Sequence, residues 1–255
     1  MDDELVLVET ADRVRTLTLN RPEARNALSA ALQSAAAEAL TAAEADSGVD
    51  VVILTGADPA FCAGLDLKEL GQGGPTIGGG AGYEGSPFTA LWAVTKPVIG
   101  AINGACVTGG FELALACDFL VASERARFGD SHARVGFTPA AGMTVFLPQA
   151  VGLRRAKEMS LTGNFIDAAE AHRLGLVNHV VPHDDLLPIT RGIAADIASG
   201  DRDAVRAMKR IYDRSWRVTG GDAIAFELEV FSGRTLDAAT IESRRRDVVE
   251  RGRSQ

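Results

Sequence analysis

Residues 97–118, PVIGAINGACVTGGFELALACD, limit what this chain can fold into more than any other stretch. Pro97, Val98 and Ile99 begin an extended, β-branched run that leads into Asn103 and Gly104. Thr108, Gly109 and Gly110 come next, and then Phe111, Leu113, Ala114, Leu115 and Ala116 take up an apolar helical pattern. The order is strand, glycine-rich turn, helix start. The first turn of a helix carries backbone N–H groups with no partner inside the helix, at the positive end of its dipole. Glycine removes the side chain and lets another atom approach that backbone. Glu112 follows Gly109 by about one helical turn, so its carboxylate can face whatever the Gly109 N–H holds. Read alone, the stretch is also compatible with an ordinary helix N-terminus that carries an acidic residue in its first turn.

A second stretch repeats the arrangement. The strand Val51–Thr55 has an apolar run expected of a buried strand, and a turn at Gly56–Pro59 precedes AFCAGLDLKEL. The turn at Ala63–Gly64 leaves the N–H of Leu65 free at the head of a short helical pattern that Asp66 and Lys68 enter. Two such turns can converge on one oxygen and form a two-donor oxyanion hole.

AFCAGLDLKEL together with INGACVTGGFELALACD resembles the enoyl-CoA hydratase/isomerase, or crotonase, superfamily. RPEARNALS and ARFGDSHARVGFTPAAG resemble two further segments of it, and the resemblance runs from about Leu5 to the C-terminus. It implies an α/β fold: a spiral of repeated β-β-α units with a C-terminal helical region that assembles trimers. It also implies an acyl-CoA substrate whose thioester enolate is stabilised in an oxyanion hole, here by the backbone N–H groups of Leu65 and Gly109. In the family the RPEARNAL loop packs near the CoA phosphates and adenine, which makes Arg25 a candidate contact and Arg21 its basic neighbour. Ala63, Asp66 and Lys68 complete the candidate substrate- and CoA-binding set; Lys68 also reads as a solvated helix residue. The glycine-rich residues 71–85 lack the Gly-Lys-Ser/Thr ending of a P-loop and read as a loop. In the family this region borders the acyl pocket, where Tyr83 and Phe88 are candidates.

Composition restricts the other classes. A net charge of −8 argues against a nucleic-acid or anionic-membrane partner. The most apolar region, 97–121, is interrupted by Pro97, several glycines, Glu112 and Asp118, so no membrane insertion is expected. The N-terminus lacks the basic start and apolar core of a secretory signal. The three cysteines, Cys62, Cys106 and Cys117, lie in apolar or turn segments and read as reduced, which points to a cytoplasmic location. Cys62 is a weak candidate nucleophile because no base lies beside it in the sequence. No metal is expected, and no cofactor either, coenzyme A being part of the substrate.

The remaining chain reads as one core with an appendage. Arg13–Asn20 is a mostly buried strand, and Ser29 can cap a helix over Ala30–Ala45. A helix is expected over Phe88–Thr95 and strands over Pro97–Ile102 and Phe119–Ala122. Helices are expected over Val145–Val151 and Leu153–Leu161, with Asp167 capping Ala168–Leu174 and Gly175 stopping it. Leu176–Val181 reads as the last strand. The division falls at residues 1–183 for the acyl-CoA-binding core and 184–255 for a helical oligomerisation region, with Ile189, Ile193 and Ile197 on one helix face.

ARFGDSHARVGFTPAAG is where the sequence departs from its relatives. Hydratases of this family carry a second glutamate after the F-G pair, and aligning Phe128–Gly129 and Gly136 puts His132 there. A histidine can act as acid or base, so a Glu112/His132 pair is chemically possible; a structural histidine is the alternative. If the segment is extended, Asp130, His132 and Arg134 share a face. Asp130 could then orient the imidazole or replace the missing acid, and Arg134 could pair with Asp130. The reading that follows is an enoyl-CoA hydratase. A double-bond isomerase or other acyl-CoA-converting enzyme, and a non-catalytic acyl-CoA-binding protein, are the alternatives.

Overall fold

The structure is a computed structural model that describes residues 4–73, 85–233 and 238–254. The first strands, β1 (Val6–Ala11) and β2 (Val14–Leu19), form an antiparallel pair. Helix α1 (Ala30–Ala45) starts where Ser29 accepts a hydrogen bond from the Leu32 N–H, and buries a stripe of Leu32, Ala36, Leu40 and Ala43. The chain then makes three similar passes. Strand β3 (Val51–Gly56) is followed by β4 (Ala60–Cys62) and helices α2 (Leu67–Gly71) and α3 (Pro87–Ala93). Strand β5 (Val98–Ile102) is followed by β6 (Ala105–Val107) and α4 (Gly109–Leu115). Strand β7 (Phe119–Ser123) is followed by β8 (Arg127–Gly129) and α5 (His132–Val135). Helices α6 (Met143–Val151) and α7 (Leu153–Thr162), strand β9 (Ile166–Asp167), helix α8 (Ala168–Arg173) and strand β10 (His179–Val181) complete this part.

Each pass therefore contributes its long strand to one sheet and its short strand to another. Among the described residues the large sheet has the order β1-β2-β3-β5-β7-β10, and the small one β4-β6-β8-β9. Neighbours from β2 to β10 in the large sheet are parallel. Both faces of β3 and β5 are buried, which is why they read as unbroken apolar runs. The expected spiral of β-β-α units is this arrangement, and the helix with its Ser29 cap, the long strands and the Asp167 cap fall within a residue or two of their expected ends.

Some expectations need correction. Every strand of the small sheet is two or three residues long, too short for an alternating pattern, and none was expected from the sequence. The last strand of the large sheet covers only His179–Val181. Asp130–Arg134 is not extended: β8 ends at Gly129 and α5 begins at His132.

After β10 come α9 (Leu186–Ala198), α10 (Arg202–Ser215), α11 (Gly220–Ser232) and α12 (Ala238–Ser254). The chain divides into two compact units, Met1–Val205 and Arg206–Gln255. Helix α9 belongs to the first. Its Leu186 and Ala194 form a buried cluster with Val14, Val51, Ile53, Ile99 and Val121, on the face of the large sheet away from α1. The structural division thus falls about twenty residues later than the sequence reading puts it, because α9 is a layer of the core.

Candidate active site

The segment between β2 and α1 scaffolds the first turn. Asn26 is fully buried at positive φ, accepts a hydrogen bond from the Arg21 N–H (2.8 Å), and donates to the carbonyls of Ala57 (2.8 Å) and Ala60 (2.7 Å). It fastens this loop to the connection between β3 and β4. The sequence reading did not single it out, since a buried asparagine has no pattern of its own. The Ala63 N–H donates to the Arg25 carbonyl (3.0 Å), and Leu28 pairs with the next residues through Leu28 N–H to Gly64 O (2.7 Å) and Asp66 N–H to Leu28 O (3.2 Å). These bonds use the peptide groups on both sides of Leu65. The Leu65 N–H itself has no acceptor among the described residues.

The second turn lies against the first. A Cβ built on Gly64, which has φ +91°, would stand 2.0 Å from Thr108 Oγ1. One built on Gly109 would stand 3.7 Å from Gly64 Cα, 3.5 Å from Leu28 Cδ1 and 3.7 Å from Phe88 Cζ. Thr108 sits at φ 45°, a region that β-branched residues rarely enter, and is held there by its N–H to Gly129 O (3.0 Å) and its carbonyl from Glu112 N–H (2.9 Å). Directly after it, Gly109 opens α4 with its N–H unpaired among the described residues. The two turns that carry the Leu65 and Gly109 N–H groups are therefore packed together, beside the buried Phe88.

Glu112 is only 3% exposed. Its Oε1 accepts from the N–H groups of Ala141 (2.8 Å) and Met143 (3.3 Å), in the turn that leads into α6. Its Oε2 faces Nε2 of His132 at 3.7 Å. Burial raises the Glu112 carboxyl above its ordinary value of 4.5, although those backbone donors and His132 pull the other way. His132 is 8% exposed, and its Nδ1 lies 2.6 Å from Oδ1 of the fully buried Asp130, which also accepts from the His132 backbone N–H (3.2 Å). Burial opposes ionisation of Asp130, but hydrogen bonds from His132 and Ser160 outweigh it and hold the carboxyl below its ordinary value. Asp130 and His132 meet although the backbone is not extended. Arg134 does not join them: its Nε donates to the Thr162 carbonyl at 2.7 Å.

The other candidates lie outside this cluster. The Asp66 carboxylate caps α2 and takes a hydrogen bond from Arg21 Nη1 at 2.5 Å, so both charges are engaged within the protein. Arg25 and Lys68 are exposed and have no ion-pair partner among the described residues. Tyr83 lies outside the described residues. Burial pushes the Cys62 thiol up to about 12, which keeps it protonated at neutral pH and unfit as a nucleophile. Among the described residues no group of three His, Cys, Asp or Glu side chains could hold a metal ion. No helix among them is long and apolar enough to cross a membrane.

Comparison with known proteins places the chain in a family. Residues 9–254 match the family model for enoyl-CoA hydratase/isomerase. A probable enoyl-CoA hydratase of Rhizobium meliloti is 41% identical over 231 residues, covering 91% of this chain and 90% of the relative. The crystal structure of an enoyl-CoA hydratase from Mycobacterium avium is 54% identical, with a TM-score of 0.76 over 90% of this chain and 99% of that one. That of an enoyl-CoA hydratase from Mycobacterium smegmatis is 53% identical, with a TM-score of 0.73 over 89% and 97%. Matched over residues 9–254 and across most of the length of these relatives, this chain belongs to the enoyl-CoA hydratase/isomerase family.

Proposed function

We infer that this protein is an enoyl-CoA hydratase, a lyase of acyl-CoA metabolism that adds water across the 2,3 double bond of a 2-enoyl-CoA thioester. The observation that carries the reading is Glu112: a buried carboxylate with one oxygen pinned by two backbone N–H groups and the other left facing His132. In this reading the thioester oxygen lies between the N–H groups of Leu65 and Gly109. These donors are fixed before the substrate arrives, so charge that develops on the oxygen meets them without reorganisation. Oε2 of Glu112 holds a water and removes its proton as the water oxygen attacks the β-carbon. The 3.7 Å gap to His132 Nε2 is too long for a direct hydrogen bond and short enough for one water to reach both groups. The electrons of the double bond move into the thioester enolate, and a proton delivered to the α-carbon completes the addition.

Arg25 and Lys68, exposed and unengaged, are the side chains available to the CoA phosphates; Ala63 contributes backbone beside the thioester, and Asp66 acts by fixing α2 and Arg21. Coenzyme A enters as part of the substrate, and the reaction needs no further cofactor. The three cysteines form no disulfide among the described residues, which accords with a cytoplasmic location. The test is incubation with short-, medium- and long-chain 2-enoyl-CoA while the absorbance of the conjugated enoyl thioester is followed. Loss of that absorbance on at least one chain length is the expected result. Tight acyl-CoA binding without turnover of 2-enoyl- or 3-enoyl-CoA would instead identify a binding protein.

A further inference from the structure

The geometry points to Asp130 as a positioning residue that makes His132 the donor of the α-carbon proton, and this assignment rests on the hydratase reading. Oδ1 of Asp130 accepts from both the backbone N–H and Nδ1 of His132, at 3.2 and 2.6 Å. An ionised carboxylate can only accept, so the proton shared with it belongs to Nδ1. The other ring nitrogen, Nε2, is then the one turned toward the reaction, 3.7 Å from Glu112 Oε2. On the other side of the pair, Ala141 and Met143 occupy Glu112 Oε1, so Oε2 is the oxygen left for chemistry. The charged groups that face the imidazole are Asp130 from the β8–α5 turn and Glu112 from α4. Arg134 of α5 is drawn away to the Thr162 carbonyl. Asp130 thus supplies the charge that balances a second proton on the ring while Glu112 stays free to act as base.

The proton inventory closes. Glu112 Oε2 takes a proton from water as the water oxygen bonds to the β-carbon, and the double-bond electrons pass into the enolate. Nε2–H protonates the α-carbon and leaves a neutral imidazole. The proton on Oε2 then crosses to Nε2, which restores both groups. One water is consumed, and nothing else is gained or lost.

The test uses the full-length protein with a 2-enoyl-CoA that the wild type hydrates. His132→Ala is expected to lose ~10² to 10⁴ in kcat, the usual worth of a general acid. Asp130→Asn keeps the shape and removes the charge. It should lose roughly tenfold or more in kcat with KM nearly constant, and its rate should begin to fall at lower pH on the alkaline side than the wild type's. If Asp130 acts through His132, the losses do not add: the double variant is no slower than His132→Ala alone. Imidazole NMR of the ligand-free protein gives a readout independent of turnover, with Nδ1 protonated and hydrogen-bonded in the wild type and that Nδ1–H signal altered in Asp130→Asn. An active wild type whose Asp130→Asn variant keeps the same kcat and pH profile, or whose two losses multiply, overturns the positioning role alone. A wild type that hydrates no 2-enoyl-CoA overturns the hydratase reading and this role together.

Discussion

Glu112 combines burial with a task that requires charge, and this makes it the residue whose replacement separates stability from activity. Its carboxyl is raised above 4.5, so the folded protein holds that proton more tightly than the unfolded chain does. The corresponding stability is complete below the unfolded value and is lost as pH rises through the raised folded value. The base, by contrast, needs the ionised form. The acidic limb of kcat/KM should therefore fall at a higher pH than an exposed glutamate would give, which a pH–rate profile checks. Glu112→Gln keeps an oxygen for the Ala141 and Met143 N–H groups and removes the buried charge. It should fold, bind acyl-CoA and lose turnover, while melting at a higher temperature than wild type at about pH 8 and with little difference at about pH 4. Full activity of this variant on both 2-enoyl- and 3-enoyl-CoA would show that the mechanism is wrong.

At the scale of the element, α4 depends on two adjacent glycines for different reasons. A Cβ on Gly110 would stand 2.3 Å from the Cys62 carbonyl oxygen and 2.7 Å from Cys62 Cβ, so this glycine lets α4 dock on β4. Gly110→Ala should cost roughly 1–3 kcal/mol through forced displacement of the helix, read as a lower Tm. A Cβ on Gly109 meets only ordinary contacts of 3.5–3.7 Å, against Leu28, Gly64 and Phe88. Gly109→Ala should therefore fold normally. Gly109→Val adds branches in the space between the two turns and should lower thioester turnover by at least ~10²-fold, the scale of one lost oxyanion donor. A well-folded valine variant with near-normal rate would remove Gly109 from the site.

For the whole molecule, the helices after the core carry apolar residues that an isolated unit leaves in water. On α10, Met208, Tyr212 and Trp216 recur every four residues and are 55%, 75% and 44% exposed. On α11, Ile224, Leu228 and Phe231 follow helical spacing at 62%, 59% and 75% exposed. Stripes of this kind mark an association surface. A trimer or a dimer of trimers is expected in solution, and a monomer by light scattering at micromolar concentration would count against it. Helix α9 carries a different expectation. A chain ended at residue 183 uncovers Val51, Ile53, Ile99 and Val121 and should lose its cooperative thermal transition, whereas one ended at Val205 keeps the α9 layer and should retain it.

The elements legible in the sequence are those whose signal is local. The apolar runs of β3 and β5, the Ser29 and Asp167 caps, and the turns at Gly64 and Gly109 each rest on neighbours a few residues apart, where side-chain spacing and backbone stereochemistry leave little choice. Glu112 was legible for the same reason, being one helical turn from Gly109. What joins distant segments was decided by tertiary structure. The three-residue strands exist because β6 pairs with β4 on one side and β8 on the other, and no three-residue pattern announces a partner that lies about 20 to 45 residues away. Asn26 becomes a clamp only once the β3–β4 connection folds over it. The reach of Asp130 to His132 survives the change from an extended segment to a helix start because a short carboxylate can fold back on the residue two positions on. Arg134 does not pair with Asp130, because in the folded chain its Nε is taken up by the Thr162 carbonyl, 28 residues away. The backbone donors of Ala141 and Met143 that leave Glu112 with a single free oxygen come from about thirty residues downstream, and only packing of the α6 turn against α4 brings them there.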